Sequence, residues 1–350
     1  MVNNLLHEFD SLPDGLLNCD ASELYQYLPG PSLIHLEGRR KAPLFVSVLL
    51  HGNEPVGWQA IQQLLNRYDG QQLPRSLSLF VGNITAAKHG MRRLDGQPDY
   101  NRVWSEPALG ELTDEHQMAA MIVSKMHERK PFASIDIHNN TGLNPHYACV
   151  NRVDNQFFWL ATHFSRTVVY FILPKGVQSA AFAELCPAVT VECGQPGQQH
   201  GVEHAAEFLD ALLNLAELPD RPVPDHDIDV FHTVAIVKVP EEIDFGFSAL
   251  GADERTEGRI EFVKKLDHMN FRELTPGTIL ATVEEGSQPV RLEVIDDNGQ
   301  DRWSDYFKIK DQQLSIAQPV MPSMLTLDEK VIRQDCLCYL MERMPLPSNE

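Results

Sequence analysis

The sequence predicts an α/β protein: an α/β/α domain with a mixed sheet over residues 1–220, then a small β-rich domain over residues 221–350. Three observations carry this. Apolar, β-branched runs alternate with helical periodicity up to about residue 220, the pattern of a largely parallel or mixed sheet covered on both faces. Pro219-Asp220-Arg221-Pro222-Val223-Pro224 then puts three prolines into six residues, which neither a helix nor a central strand tolerates. Beyond it lie only short β-rich pieces separated by Gly, Pro and Asp clusters.

The elements follow in order. Residues 44–50 form an almost unbroken apolar run, as a strand buried on both faces requires, and residues 55–68 repeat apolar positions with helical period from Pro55 onward. A strand over 77–81 and a helix over 113–129, capped by Thr113 and Asp114, come next. Strands over 133–137, 168–172 and 188–191 alternate with helices over 155–165 and 200–215. In the second domain, strands are predicted at 230–239, 278–283, 290–295 and 306–309, with Asp297-Asn298-Gly299 as a hairpin turn. The tail from 327 to 344 reads equally as a helix or a last strand.

Composition narrows the function. The 350 residues are 43% apolar, enough for a proper core, and the formal net charge of -20 repels nucleic acid and anionic lipid surfaces. A small molecule or a short peptide remains as the expected partner, and nothing in the sequence sets the oligomeric state. Met1 to Asp10 lacks a leader pattern and no apolar run approaches the roughly 20 residues needed to span a bilayer, so a cytoplasmic location is expected. Six cysteines are too sparse and irregular for a disulfide scaffold, and Cys193 reads as a small buried neighbour of Glu192.

Three segments carry chemistry. His51-Gly52-Asn53-Glu54-Pro55 follows the strand 44–50, Asp136-Ile137-His138-Asn139-Asn140 ends the strand 133–137, and Thr190-Val191-Glu192-Cys193-Gly194 ends the strand 188–191. Strand C-termini are where open α/β sheets place their sites. Two imidazoles and a carboxylate, His51, His138 and Glu54, suit one Zn2+ per chain and leave room for water, while Glu192 stands apart as an acid/base. Asp136 and the asparagines after His138 can supply supporting hydrogen bonds. The His-x-x-Glu spacing alone is uninformative, since His200/Glu203 and His204/Glu207 repeat it. A rival is His200-Gly201-Val202-Glu203-His204, a literal inverted zinc-protease motif. Gly201 weakens the helix there and no clear third ligand follows, so exposed histidines at a helix start are expected.

With Asp99-Tyr100-Asn101-Arg102 and Val191-Glu192-Cys193-Gly194-Gln195-Pro196 added, the chain resembles the succinylglutamate desuccinylase/aspartoacylase family of the zinc carboxypeptidase superfamily over about residues 40–215. The resemblance implies a carboxypeptidase-like α/β/α domain, zinc on His51, Glu54 and His138, and Glu192 as general base and acid. It also implies that Asn101 and Arg102 grip a substrate carboxylate, and that Arg92, or Arg93 in its place, polarises the scissile carbonyl. The chain departs from members that cut N-acyl aspartate: residues 182–191 hold no basic side chain, and Gln318 rather than tyrosine precedes Pro319-Val320. The expectation is a zinc amidohydrolase for a small N-acyl amino acid or similar carboxylate-bearing substrate. Its alternatives are a carboxypeptidase-type metallopeptidase and a non-catalytic metal-binding protein of the same fold.

Overall fold

The computed structural model describes residues 5–107, 110–248, 258–284 and 290–345. The chain forms two compact units, Met1–Asn139 with His146–Val230, and Asn140–Pro145 with Phe231–Glu350. The proline-rich stretch 219–224 lies within the first unit, whereas the hexapeptide Asn140–Pro145, two residues past His138, belongs to the second.

The first unit contains β1 (His7–Phe9), β2 (Ser32–Leu36), β3 (Gly38–Val48), β4 (Leu73–Val81), β5 (Ala133–His138), β6 (Tyr147–Val150), β7 (Thr167–Tyr170) and β8 (Ala188–Glu192). Its helices are α1 (Val56–Arg67), α2 (Ile84–Ala87), α3 (Asp114–Arg129), α4 (Asn155–Thr162), α5 (Gln178–Phe182) and α6 (Gln199–Asn214). The strands order as β1-β2-β4-β3-β5-β8-β6-β7, with β3, β4, β5 and β8 mutually parallel and β6 antiparallel to β8. The sheet is therefore mixed, as expected.

Side-chain alternation explains the layers. Phe45 stacks on Phe182 of α5 with ring centroids 4.2 Å apart, while Val48, on the opposite face of β3, meets Gly57 of α1. Helices thus cover both faces, so β5 and β8 are buried along their whole length, at Ser134, Asp136 and Thr190 as well as at their apolar positions. The Thr113 cap is present, its hydroxyl oxygen accepting from the His116 N–H. Among the described residues of this unit, β1, β2 and β6 were not predicted from the sequence.

The second unit contains β9 (Asp229–Lys238), which starts just before the unit boundary, then β10 (Asp244–Ser248), β11 (Arg259–Val263), β12 (Ile279–Val283), β13 (Glu293–Ile295), α7 (Trp303–Tyr306), β14 (Phe307–Lys310), β15 (Gln313–Ile316), β16 (Met321–Ser323), α8 (Glu329–Gln334) and β17 (Cys338–Arg343). Strands β10-β11-β12-β15-β14 form a sheet of their own, and β9 pairs antiparallel with β13 and β17. Its core gathers Phe262, Leu266, Val283, Leu314, Leu337 and Leu340. At the hairpin, the Asp296 carboxylate accepts the N–H groups of Asn298 and Gln300, both at 2.9 Å. The tail is both of the things it could have been, α8 and then β17. Among the described residues no helix is long and apolar enough to cross a membrane.

Candidate metal centre

Register brings the three chemical segments to one level. Val48 pairs with Ile137, Ile137 with Val191, and His138 with Glu192, so three adjacent parallel strands end together. Paired residues on neighbouring strands lie about 4.8 Å apart and point to one face, which puts Glu192 and His138 on the same face of the sheet. Past β3 the buried Leu49 turns the chain at φ 57°, a costly conformation for an apolar residue. Gly52 follows because nothing larger fits. A Cβ there would stand 2.2 Å from the Ala87 nitrogen and 2.7 Å from the Met91 carbonyl oxygen. The Gly52 N–H donates to the Arg92 carbonyl at 3.1 Å, closing this turn onto the loop that carries Arg92.

The result is a buried cluster. His51 Nδ1 lies 2.8 Å from Glu54 Oε1, and His138 Nδ1 lies 2.7 Å from Glu54 Oε2. The outer nitrogens meet other carboxylates: His51 Nε2 stands 3.0 Å from Asp99 Oδ1, and His138 Nε2 stands 2.7 Å from Asp136 Oδ2. Asp136 Oδ1 in turn accepts from the Ser47 hydroxyl at 2.7 Å. The Asn139 N–H donates to Glu54 Oε2 at 3.2 Å, and the Asn139 side chain accepts from the N–H of Val56 and donates to the Gly194 carbonyl. Asp136 and Asn139 thus hold the supporting positions anticipated for them.

Charge is balanced within this shell. Burial alone would depress the His51 and His138 imidazoles, but Glu54 and Asp99 raise the first above its ordinary value, and Asp136 and Glu54 raise the second well above. Burial likewise opposes ionisation of Glu54 and Asp99. His51 and His138 outweigh it for Glu54, and His51 and Arg92 for Asp99, so both carboxyls lie far below the usual range.

The remaining expected residues gather nearby. Arg92 is 9% exposed, donates from Nη2 to Asp99 Oδ2 at 3.1 Å, and brings Nη1 to 3.7 Å from Glu54 Oε1. Arg93 instead turns into its own loop, donating to the Gln97 carbonyl at 2.8 Å. Asn101 is buried, its Oδ1 accepting from the Gln178 N–H at 3.0 Å and its Nδ2 lying 3.3 Å from His138 Nε2. Arg102 is half-buried and donates to the Asn101 carbonyl at 2.8 Å. Glu192 is 7% exposed, and Cys193 beside it is fully buried, its thiol pushed up by burial and then by Glu192 and Glu54. Asp99, which lies in the motif Asp99-Tyr100-Asn101-Arg102 and had no role expected of it, joins the cluster through His51 and Arg92. Its place two residues before Asn101 was the available signal.

The inverted motif is elsewhere. His200, Glu203 and His204 sit on α6 and do not join the cluster. The expectation of an exposed helix start needs correction for His204, which is half-buried, its Nε2 2.7 Å from the Phe164 carbonyl oxygen and its Nδ1 3.1 Å from His146 Nδ1. Gly201 also has a reason other than a weak helix: a Cβ there would lie 2.2 Å from the Cys193 carbonyl oxygen, so glycine lets α6 reach the end of β8.

The donor set fits a divalent ion of zinc type. One atom each from His51, Glu54 and His138 lie within 4.8 Å of one another, and the two imidazoles have their far nitrogens held by carboxylates, the usual support for metal-binding histidine. Among the described residues this is the one such cluster.

Comparison with known proteins bears on the family and the fold. The family model for the succinylglutamate desuccinylase/aspartoacylase catalytic domain matches residues 43–218. Among solved structures, succinylglutamate desuccinylase from Chromobacterium violaceum superposes with a TM-score of 0.53 at 17% identity, covering 88% of this chain and 87% of that one. The enzyme of the same name from Vibrio parahaemolyticus gives 0.57 at 14% identity, over 87% and 82%. Murine aminoacylase 3 gives 0.53 at 14% identity, over 87% and 96%. At these identities the likeness is one of fold. None of the curated protein sequences matches the chain.

Proposed function

The chain belongs to the succinylglutamate desuccinylase/aspartoacylase family, and from that premise we propose a zinc-dependent amidohydrolase that cleaves a small N-acyl amino acid or similar carboxylate-bearing substrate in the cytoplasm. The observation that carries the reading is the placement of Glu192 in register with His138, beside the cluster of His51, Glu54 and His138.

His51 and His138 would hold the ion through Nδ1, and Glu54 through its carboxylate. Zinc, when bound, supplies Lewis acidity that polarises a carbonyl oxygen and acidifies water. The chain's own residues do the rest. Glu192 takes a proton from the attacking water and returns it to the leaving amine, the two halves of general base and acid catalysis. Arg92 sits beside Glu54 with Asp99 fixing one end of its guanidinium, so its charge is aimed before any oxyanion develops. Its position favours it over Arg93 for this task. Arg102 offers the planar fork that a substrate carboxylate takes up, and Asn101 anchors that loop to Gln178 and His138.

The test is amino-acid release by the zinc-loaded protein. N-succinyl and N-acetyl derivatives of glutamate and aspartate form one panel, and peptides with a free acidic C-terminus form the other. Turnover of the first panel is expected. Release from peptides alone would favour a metallopeptidase, and silence on both with zinc bound would leave a metal-binding protein without catalysis.

A further inference from the structure

Three histidines outside the centre just described form a cluster of their own. His146, which directly precedes β6, and His204 on α6 bring their Nδ1 atoms to 3.1 Å. His200, one helical turn before His204, lays its ring parallel to that of His146 at a centroid distance of 5.1 Å and 15°. Phe164 packs behind the pair, 4.4 Å from the His204 ring.

The protons of this cluster are only partly accommodated. His204 Nε2 is 2.7 Å from the Phe164 carbonyl oxygen, which can only accept, so that nitrogen carries the hydrogen and Nδ1 presents a lone pair. His146 Nδ1 must then donate to it. That leaves His146 Nε2 as a bare acceptor, and it is buried with no hydrogen-bond partner. A cation between the two Nδ1 atoms changes the assignment: both become donors to the ion, and the His146 proton moves to Nε2. Gly194 leaves room on that side of the ring: a Cβ built there would lie 3.2 Å from His146 Nε2.

The separation matches as well. Two nitrogens bound at about 2.1 Å to one tetrahedral ion stand roughly 3.4 Å apart, close to the spacing seen. A histidine whose other nitrogen donates to a backbone carbonyl is the customary supported ligand, which His204 already is. His200, exposed and at i,i+4 from His204, stacks on His146 and would turn its ring to complete the set.

We propose that His146, His204 and His200 form a second, peripheral site for a divalent first-row transition metal of the kind that favours imidazole, such as Zn2+ or Ni2+. The literal His-x-x-Glu-His of the sequence would then bind metal through its two histidines, completed by His146 from outside the helix and without Glu203.

Equilibrium dialysis of the full chain against increasing Zn2+, with metal measured per chain, tests this. The wild type is expected to take up two equivalents, the His51→Ala variant to keep the peripheral one, and His204→Gln and His200→Ala to lose that one and keep the other. Because His200 is exposed, its replacement leaves the fold intact, which circular dichroism verifies. Saturation of the wild type at one equivalent that survives in His204→Gln overturns the proposal, as does a second equivalent that persists in both histidine variants. Failure of the catalytic site alone would look different: wild type and His51→Ala would bind equally, and His204→Gln would bind nothing.

Discussion

Replacing Asp99 with Asn tests whether the centre is held from outside. Asp99 receives the Arg92 guanidinium at 3.1 Å and the Asn101 N–H at 2.8 Å, and it faces His51 Nε2 at 3.0 Å. Asparagine keeps the shape but offers one acceptor where the carboxylate offers two, so either His51 or Arg92 loses its charge-assisted bond. Such a bond is worth about 1.5–3 kcal/mol. Loss of an outer partner of a metal-bound histidine typically weakens metal binding about 10- to 100-fold, or about 1.4–2.7 kcal/mol. The two figures overlap near 2 kcal/mol, so Asp99→Asn should weaken zinc binding about 30-fold. The assay is competition with a chromophoric chelator at fixed pH, on protein whose melting curve shows it to be folded. Zinc affinity within threefold of wild type would mean that His51 is held by the fold alone, and the argument for Asp99 would fail.

Three further outcomes are expected. Glu192→Gln should lower turnover at least about 100-fold and leave the zinc content unchanged, since it removes the base and none of the ligands; undiminished turnover would take Glu192 out of the mechanism. Gly201→Ala sets a methyl group 2.2 Å from the Cys193 carbonyl oxygen and should cost about 1–3 kcal/mol, read as a lower Tm with a fall in kcat because the end of β8 must shift; an unchanged Tm and kcat would refute the close-packing argument. His35, 6% exposed and bonded only through Nδ1 to Ser78, is pushed down to about 4, by burial first and then by Arg129. The unfolded chain protonates near 6.5 while the folded chain resists until about 4, so stability must fall as pH drops through that window, by at most about 2 kcal/mol at pH 5. Denaturant melts at pH 7 and pH 5 should show that loss in the wild type and a smaller one in His35→Gln; equal losses would clear His35 of the effect.

Much of the first unit was legible because its central strands are long, apolar and parallel, and because a ligand at the end of such a strand stands out against the run before it. The same reasoning could not see β6. Tyr147–Val150 is four residues long, begins two residues after a proline, and becomes a strand only because β8 and β7 are there to pair with it. The short strands of the second unit were half-read for a similar reason: β12, β13 and β14 showed apolar runs, while β10, β11, β15 and β16 alternate polar and apolar residues over three to five positions and take their state from the strands they pair with. Within the site, residue types and order pointed to His51, Glu54 and His138, whose ligand atoms the fold gathers within 4.8 Å, and to Glu192 on the neighbouring strand. Asp99 was harder, because an aspartate in a polar loop has no local mark that it serves a histidine 48 residues away. His146 gave no signal at all, since its partners come from α6.

The hexapeptide Asn140–Pro145 has a consequence for anyone wishing to separate or exchange the two units. It belongs to the second unit, where Thr141 meets the Thr326 hydroxyl at 2.7 Å, Asn144 accepts the Met324 N–H at 3.0 Å, and Gly142 lies against the Leu325 carbonyl. The chain therefore passes between the units three times, and the first passage begins two residues after His138. A truncation after Val230 would strip these partners from a segment spliced almost directly to His138. A chimera built with a relative must graft this short internal piece along with the tail, or it will leave a frayed end spliced to the strand that carries His138.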